Sequence, residues 1–422
     1  MEKTQINNFK EHIYYEKLDN GLQVYILPLK NKKNYACMYV TKYGGRNIEF
    51  EVDNKQYKTP TGIAHFLEHK MFDRKDDPFK YYVKYGTDVN ASTSLDHTGY
   101  YFMGNKCFYK CLLYLLDWLK ELNVTDDSVR KEQGIILEEA NMYKDNPDRV
   151  LYSKIKENVF VNDPSKYKVI GTDSDITSIT KDDLELCFNT FYNPNNMYLI
   201  ITGNVEPNKT MSLIKENQKD YHPEKKNVKI KYNKEPDQVA KDYESLKMNI
   251  EIPRVAVAYK VNKQVFEGLD IKPIELDIYL HCLFNISLGM TSEIREHWLK
   301  KNMISRSFYR IYEIETHYVI ELYAVTNTPD ELVKELEEYQ KDFKIDENSF
   351  EREKKLWIAE EIRSIDTPMG SLYSVLDDIL DYKHFIPNKI NIIKNLNYET
   401  LDDIKNRLNL SNKAIVKIMP DR

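Results

Sequence analysis

The chain has no apolar run long enough to span a bilayer. Its longest runs, near Leu112–Leu116 and Met197–Ile201, fall far short of the roughly 20 residues that a crossing helix needs. It has no long block of like charge either. The 61 Lys and Arg and 67 Asp and Glu are interspersed and leave a net charge of −6, so there is no electrostatic reason to expect a nucleic acid as partner. The mildly basic stretches Leu29–Lys33 and Lys225–Lys234 read as solvated loops. Cysteine is scarce: Cys37, Cys107, Cys111, Cys187 and Cys282 make an odd number with no Cys-x-x-Cys pair. That argues against a disulfide framework and for a reducing compartment. Cys107 and Cys111 lie four apart in an apolar helical run, so both are expected to face a core. The opening residues MEKTQINNFKEHIYY lack the apolar segment of a secretory signal. Together these absences predict a soluble, cytoplasmic protein with no membrane partner.

What the chain does have is length and pattern. At 422 residues, 41% hydrophobic and 30% charged, it is too long for one ordinary core and is expected to form two or more domains. Strands are expected at Gly21–Pro28, Tyr35–Thr41, Val89–Leu95, Thr98–Met103 and Met197–Thr202. Helices are expected near Gly62–Phe72, Cys107–Leu122 and Asp126–Lys144, the last stopped by Asn146–Pro147. Between about Lys219 and Leu246 the pattern fails, with Pro223 and Pro236 and few aliphatics, which reads as an interdomain linker. Strand–helix patterning resumes at Arg254–Val261 and runs through helices near Asp330–Lys341 and Asn348–Ser364. The segment from Thr180 to the strand Met197–Ile201 resembles the one from Thr400 to the strand Ala414–Ile418. In each, a Thr is placed to cap a helix and an Asn turn feeds a strand, which suggests an internal duplication.

One short segment carries chemistry. In Gly62–His69 (GIAHFLEH) the two histidines are four apart, so on a helix both imidazoles project from one face and can reach one metal ion. Glu68 sits beside that face and can act as general base without being a ligand. This is the mirror order of the His-Glu-x-x-His motif. With nine histidines in the chain, a chance His-x-x-Glu-His arises on the order of 1% of the time. Catalytic zinc takes three protein ligands and leaves a fourth position open. The helix Asp126–Lys144 offers Glu132, Glu138 and Glu139. Glu132 and Glu139, seven apart, share a face, and Glu138 points about 100° away. Glu139 is assigned as third ligand and Glu132 as the group that fixes a ligand or a water. Spacing alone does not separate Glu138 from Glu139. His97 is peripheral.

With these residues the chain resembles the pitrilysin/insulinase family of inverted-zincin metallopeptidases, in particular its short bacterial members. The stretches TGIAHFLEHKMF (Thr61–Phe72), VNASTSLDHTGYYF (Val89–Phe102), EQGIILEEANMYKDNPD (Glu132–Asp148) and FYNPNNMYLIITGNVEP (Phe191–Pro207) carry the likeness. It is highly specific in the first half and weak in the second. The resemblance implies an α+β fold of two homologous domains, each a mostly antiparallel sheet with helices on one face. They would comprise a zinc-binding catalytic domain over 1–220, a linker over 221–245, and a domain without metal over 246–422. It implies one Zn2+ held by His65, His69 and Glu139, with Glu68 as base. Asn90 and Ala91 would bind peptide substrate on an edge strand. The implied activity is endopeptidase cleavage in a chamber, with removal of a leader from a ribosomally made peptide as the substrate expectation. General oligopeptide degradation and a non-catalytic scaffold are the alternatives. The family also places an Arg and a Tyr in the second domain. Here those positions hold Leu299 and Ser305, with Asn302 in the helix-ending place of a Gly. A one-residue shift gives Lys300 and Arg306 instead. The departure implies a heterodimer with a homologous partner subunit that carries the pair, or else a homodimer.

Overall fold

A computed structural model describes residues 1–421. The chain begins β1 (Glu2–Gln5), β2 (His12–Lys17), β3 (Gln23–Pro28), β4 (Tyr35–Thr41), β5 (Glu49–Val52), β6 (Lys55–Lys58), α1 (Ile63–Phe72), α2 (Pro78–Val83), β7 (Asp88–Thr93), β8 (Thr98–Gly104), α3 (Phe108–Trp118), α4 (Asp126–Lys144), α5 (Pro147–Val159), α6 (Asp173–Ser178), α7 (Lys181–Phe191), β9 (Met197–Gly203) and α8 (Pro207–Gln218). It continues β10 (Val228–Ile230), β11 (Tyr243–Met248), β12 (Arg254–Asn262), α9 (Pro273–Leu288), α10 (Glu293–Lys300), β13 (Ile304–Glu313), β14 (His317–Thr326), α11 (Pro329–Lys341), α12 (Glu347–Ser364), α13 (Pro368–Tyr382), α14 (Lys389–Asn395), α15 (Tyr398–Arg407) and β15 (Lys413–Pro420). No helix among the described residues is long and apolar enough to cross a membrane.

The fold is α+β and consists of two compact units, each with its own sheet. In the first the strand order is β1-β2-β3-β9-β4-β8-β7, antiparallel throughout except for β3 beside β9. In the second it is β11-β15-β12-β14-β13, antiparallel except for β11 beside β15. The run β3-β9-β4-β8-β7 therefore recurs strand for strand, with the one parallel pair in the same place. That is the duplication at the level of topology.

The units are not contiguous in sequence. The first takes Met1–Ala140, Tyr167–Tyr232 and Glu360–Lys389, and the second takes Asn141–Lys166, Asn233–Ala359 and Ile390–Arg422. This differs from the 1–220 and 246–422 division read from sequence, because two helices pack away from their own half. Alternate residues of β4 face opposite ways. Tyr35 meets Phe108 of α3 with ring centroids 5.0 Å apart. Ala36, Met38 and Val40 meet Leu372, Val375, Leu376 and Ile379 of α13. In the second unit α5 takes the equivalent place, burying Leu151, Ile155 and Val159 against Ala256, Ala258, Ala414, Val416 and Ile418. Each of those Leu, Ile and Val side chains contributes roughly 1.5–3 kcal/mol on burial. Helices from the same half line one face, as expected. A helix from the other half of the chain covers the opposite face, and periodicity could not assign it there.

Three local expectations need correction. The stretch 221–245 is not a bare linker. Its β10 pairs with β5, and Glu235, 4% exposed, accepts from the amides of Val161, Asn162 and Asp163 at 2.8, 2.7 and 2.6 Å and from Lys260 Nζ at 2.5 Å. Of the cysteine pair only Cys111 is buried, because Cys107 sits exposed at the left-handed N-cap of α3. Thr180 does cap α7, but α15 is capped by Asn397 and Thr400 lies inside its first turn. Asn302 adopts the left-handed conformation beyond α10, φ 55°, as the helix-ending role requires.

Candidate metal centre

The site is built on α1, whose entry depends on two glycines. Gly62 and Gly171 have φ of 86° and 90°. A Cβ on Gly62 would strike the Ile170 carbonyl, and one on Gly171 the Thr61 carbonyl. Only glycines let these strands of backbone touch. Thr61 adds a hydrogen bond from its hydroxyl to Asp175. From this anchored start α1 buries Ile63, Ala64, Phe66, Leu67 and Met71, and presents His65, Glu68 and His69 to the face shared with β7 and α4.

His65, His69 and Glu139 meet there, with one candidate ligand atom from each lying within 4.8 Å of the others. Both imidazoles aim Nε2 at one oxygen of Glu139, from 3.8 Å for His65 and 3.6 Å for His69. Ligands about 2.0–2.2 Å from a common tetrahedral ion are about 3.3–3.6 Å apart, so each imidazole's approach to Glu139 fits with a few tenths of an ångström of closure. Glu138 is exposed while Glu139 is partly buried, which makes the choice that spacing left open. Glu132, 8% exposed, lies 2.9 Å from His69 Nδ1. That bond fixes the ring and leaves Nε2 as the donor for a metal, the arrangement by which carboxylates orient imidazole ligands. His65 Nδ1 is buried without a hydrogen-bond partner among the described residues. Burial, with His69 alongside, pushes His65 down to about 4, so its imidazole is neutral and its lone pair available. Burial alone would push His69 down too, but the Glu132 hydrogen bond and charge outweigh it and raise that ring. Two imidazoles and one carboxylate are a donor set for a divalent cation of zinc type.

Glu68 is held by a residue that motif reading missed. Thr93, at the end of β7, donates its hydroxyl to Glu68 Oε2 at 2.5 Å. Burial raises the Glu68 carboxyl above the ordinary value, and the Thr93 bond and His69 only partly oppose it. Along β7, Ala91 and Thr93 are half-buried while Asn90 and Ser92 are exposed. Asn90 does not reach into the cluster. Its side-chain oxygen accepts from the Ala91 amide at 2.9 Å. β7 itself is the last strand of its sheet, so one side of its backbone has no strand partner. His97 pairs with Asp96 at 2.7 Å and takes no part in the cluster.

Residues 54–173 match the family described as insulinase (peptidase family M16), and residues 178–356 match the peptidase M16 inactive domain. A Bacillus subtilis protein named uncharacterized zinc protease YmfH is 34% identical over 339 residues, covering 79% of this chain and 78% of that one. Zinc protease PqqE of Helicobacter pylori is 32% identical over 254 residues, 58% of this chain and 55% of that one. Among solved structures, an M16-like peptidase from Alicyclobacillus acidocaldarius superimposes with TM-score 0.91 at 26% identity, covering 98% of this chain and 99% of the other.

Proposed function

The chain belongs to the insulinase family of peptidases, peptidase family M16, and from that premise we propose that it is a zinc-dependent endopeptidase with His65, His69 and Glu139 as metal ligands. The observation that carries this reading is the approach of both Nε2 atoms to one Glu139 oxygen. Zinc in the names of the relatives supports the choice of metal. A zinc ion bound there would polarise the scissile carbonyl and make water more acidic. Glu68 removes the proton from the attacking water and returns it to the leaving amine. Its raised carboxyl suits it to both steps, and Thr93 keeps one oxygen tied so that the carboxylate holds one orientation. Glu132 steadies His69. An extended substrate adds to the open side of β7 through main-chain hydrogen bonds, with Asn90 and Ala91 along that edge.

Zinc analysis of the purified chain tests the site. About one equivalent is expected, with loss of the metal and of peptide cleavage in His65→Ala; a His65→Ala chain that keeps both sinks the assignment. Substrates are peptides or unfolded segments, and leader removal from a ribosomally made peptide is the favoured biological setting. Sequencing products from a mixed peptide pool separates one dominant cut, as maturation requires, from the many cuts of general degradation. Leu299 and Ser305, standing where an Arg and a Tyr are expected, favour a heterodimer with a homologous subunit that carries the pair. A homodimer is the rival, and co-purification with mass spectrometry distinguishes them. A scaffold role is disfavoured by the intact set of His65, Glu68, His69 and Glu139.

A further inference from the structure

The second unit has a cavity of about 370 Å³ on the face of its sheet beside α5. Arg306, Phe308 and Arg310 reach it from β13, Tyr323 from β14, and Asp148 and Tyr152 from α5. The three β13 residues alternate along the strand, so they share a face. β13 is also the last strand of its sheet. The cavity is thus the side-chain shelf of an open backbone edge.

The shelf is cationic in a chain whose net charge is −6. Its one carboxylate, Asp148, is already engaged by Arg306 at 2.9 Å and by Arg254 at 2.8 Å, and Arg149 is also in the lining. Arg310 lies over three rings, with centroids at 4.9 Å for Tyr152, 5.5 Å for Phe308 and 5.9 Å for Tyr323. No carboxylate lies within ion-pairing distance of it among the described residues. Glu321 stands opposite Arg310 on β14, but its two oxygens accept from Tyr312 and Tyr323 at 2.7 and 2.8 Å. Phe308, 40% exposed, stacks on Tyr323 at 5.0 Å. The aromatic bed holds the guanidinium in place and leaves its outward edge to bond an anion.

We propose that β13 binds an extended acidic peptide segment as an added strand, with acidic side chains four residues apart on Arg306 and Arg310 and an apolar side chain between them on Phe308. A strand laid along β13 repeats its spacing, so the two arginines, about 13 Å apart along the strand, meet side chains at positions i and i+4. Phe308 meets i+2. Main-chain bonds supply strand addition and the side-chain pairs supply the sequence preference. That the occupant is a peptide rests on the peptidase reading. The acidic preference rests on this unit alone.

The test uses the full chain in chelator, so that nothing is cut, and a fluorescent end-blocked peptide containing Glu-Ser-Leu-Ser-Glu. Two controls carry Gln-Ser-Leu-Ser-Gln, and Glu-Glu-Ser-Leu-Ser with the acids adjacent. Anisotropy titration is expected to give at least about tenfold tighter binding of the first peptide than of either control. Arg310→Gln should abolish the preference and Arg310→Lys should keep part of it, with unchanged circular dichroism in both. Equal affinity for the charged and amide peptides, or a preference that survives Arg310→Gln, overturns the proposal. Equal binding of the adjacent-acid peptide overturns the added-strand register. A chain that shows the preference in chelator but cleaves nothing with zinc sinks the peptidase reading and leaves this site standing. Cleavage without charge preference does the reverse.

Discussion

α1 and α9 occupy the same place in two sheets of the same strand order, and they carry different chemistry at the same spacing. On α1 the positions read His65, Glu68 and His69; on α9 they read His281, Phe284 and Asn285. Glu132 and Glu139 on α4 have their counterparts in Glu353 and Glu360 on α12, again seven apart. The hydrogen bond from His69 to Glu132, 63 residues on, recurs as one from Asn285 Nδ2 to Glu353, 68 residues on, at 2.5 Å. The second unit thus has a bond equivalent to the one that orients the proposed ligand His69, but neither that ligand nor the proposed base Glu68. Burial pushes His281 down to about 4, as it does His65. The difference teaches that burying an imidazole and buttressing its neighbour are properties of the duplicated scaffold. The proposed metal chemistry needs two further side chains, His69 and Glu68.

The largest expected effect comes from removing the proposed base, which α9 lacks. Glu68→Gln keeps the shape and the Thr93 contact but cannot accept a proton. It should lower kcat about 10²–10⁴-fold while zinc content stays at the wild-type level. Steady-state cleavage beside metal analysis checks both. Normal turnover in that variant would move the base elsewhere and weaken the contrast between Glu68 and Phe284.

The next effect tests whether the two units are alike in how they are held. Leu376→Ala on α13 and Ile155→Ala on α5 each open a cavity between a helix and the sheet it covers. Each should cost about 2–5 kcal/mol, read by urea denaturation. If only one of the two destabilises the protein, the helices are not equivalent in energy despite equivalent placement.

Glu235 sharpens the comparison, because it ties the connecting segment into the second unit through a buried charge, where the first unit receives the strand β10. Burial pushes its carboxyl up, but Lys260 and the three amides outweigh that and hold it below the ordinary value near 4.5. The folded state therefore binds this proton more weakly than the unfolded state. The stabilisation is complete above about pH 4.5 and drains away as pH falls through the lowered value. Glu235→Gln leaves the buried Lys260 without its counter-charge and should cost about 2–3 kcal/mol at neutral pH. Its stability should then fall less steeply than the wild type's between pH 5 and 3. Parallel curves for the two proteins would remove Glu235 as the cause.

Much of this was legible in the chain. β4 and α4 were read with the bounds they have, because an apolar strand between turn signals and a helix ended by Asn-Pro are local facts. The cluster was legible for the same reason: His65, His69 and Glu68 sit on one short helix, and Glu132 and Glu139 sit seven apart on another. Thr93 was not, since its partner lies 25 residues away and a threonine in a strand carries no charge pattern. The packing of α5 and α13 was invisible, because an amphipathic helix shows that it has a partner and not which sheet. Glu235 lay hidden in a polar stretch where nothing local distinguishes a buried carboxylate from a solvated one.

The smallest expected effect is the most direct test of common descent between the two sites. Asn285→His restores the second imidazole four residues after His281, with Glu353 already placed to accept from its Nδ1 as Glu132 accepts from His69 Nδ1. Phe284 still stands where the base would be, and no third ligand on α9 accompanies the two imidazoles. The variant should take up a second equivalent of zinc weakly, released by mild chelation before the first, with kcat unchanged. Calorimetric titration of the metal-free variant should resolve the two affinities. A single binding step identical to the wild type's would mean that the likeness between α1 and α9 stops at backbone and spacing.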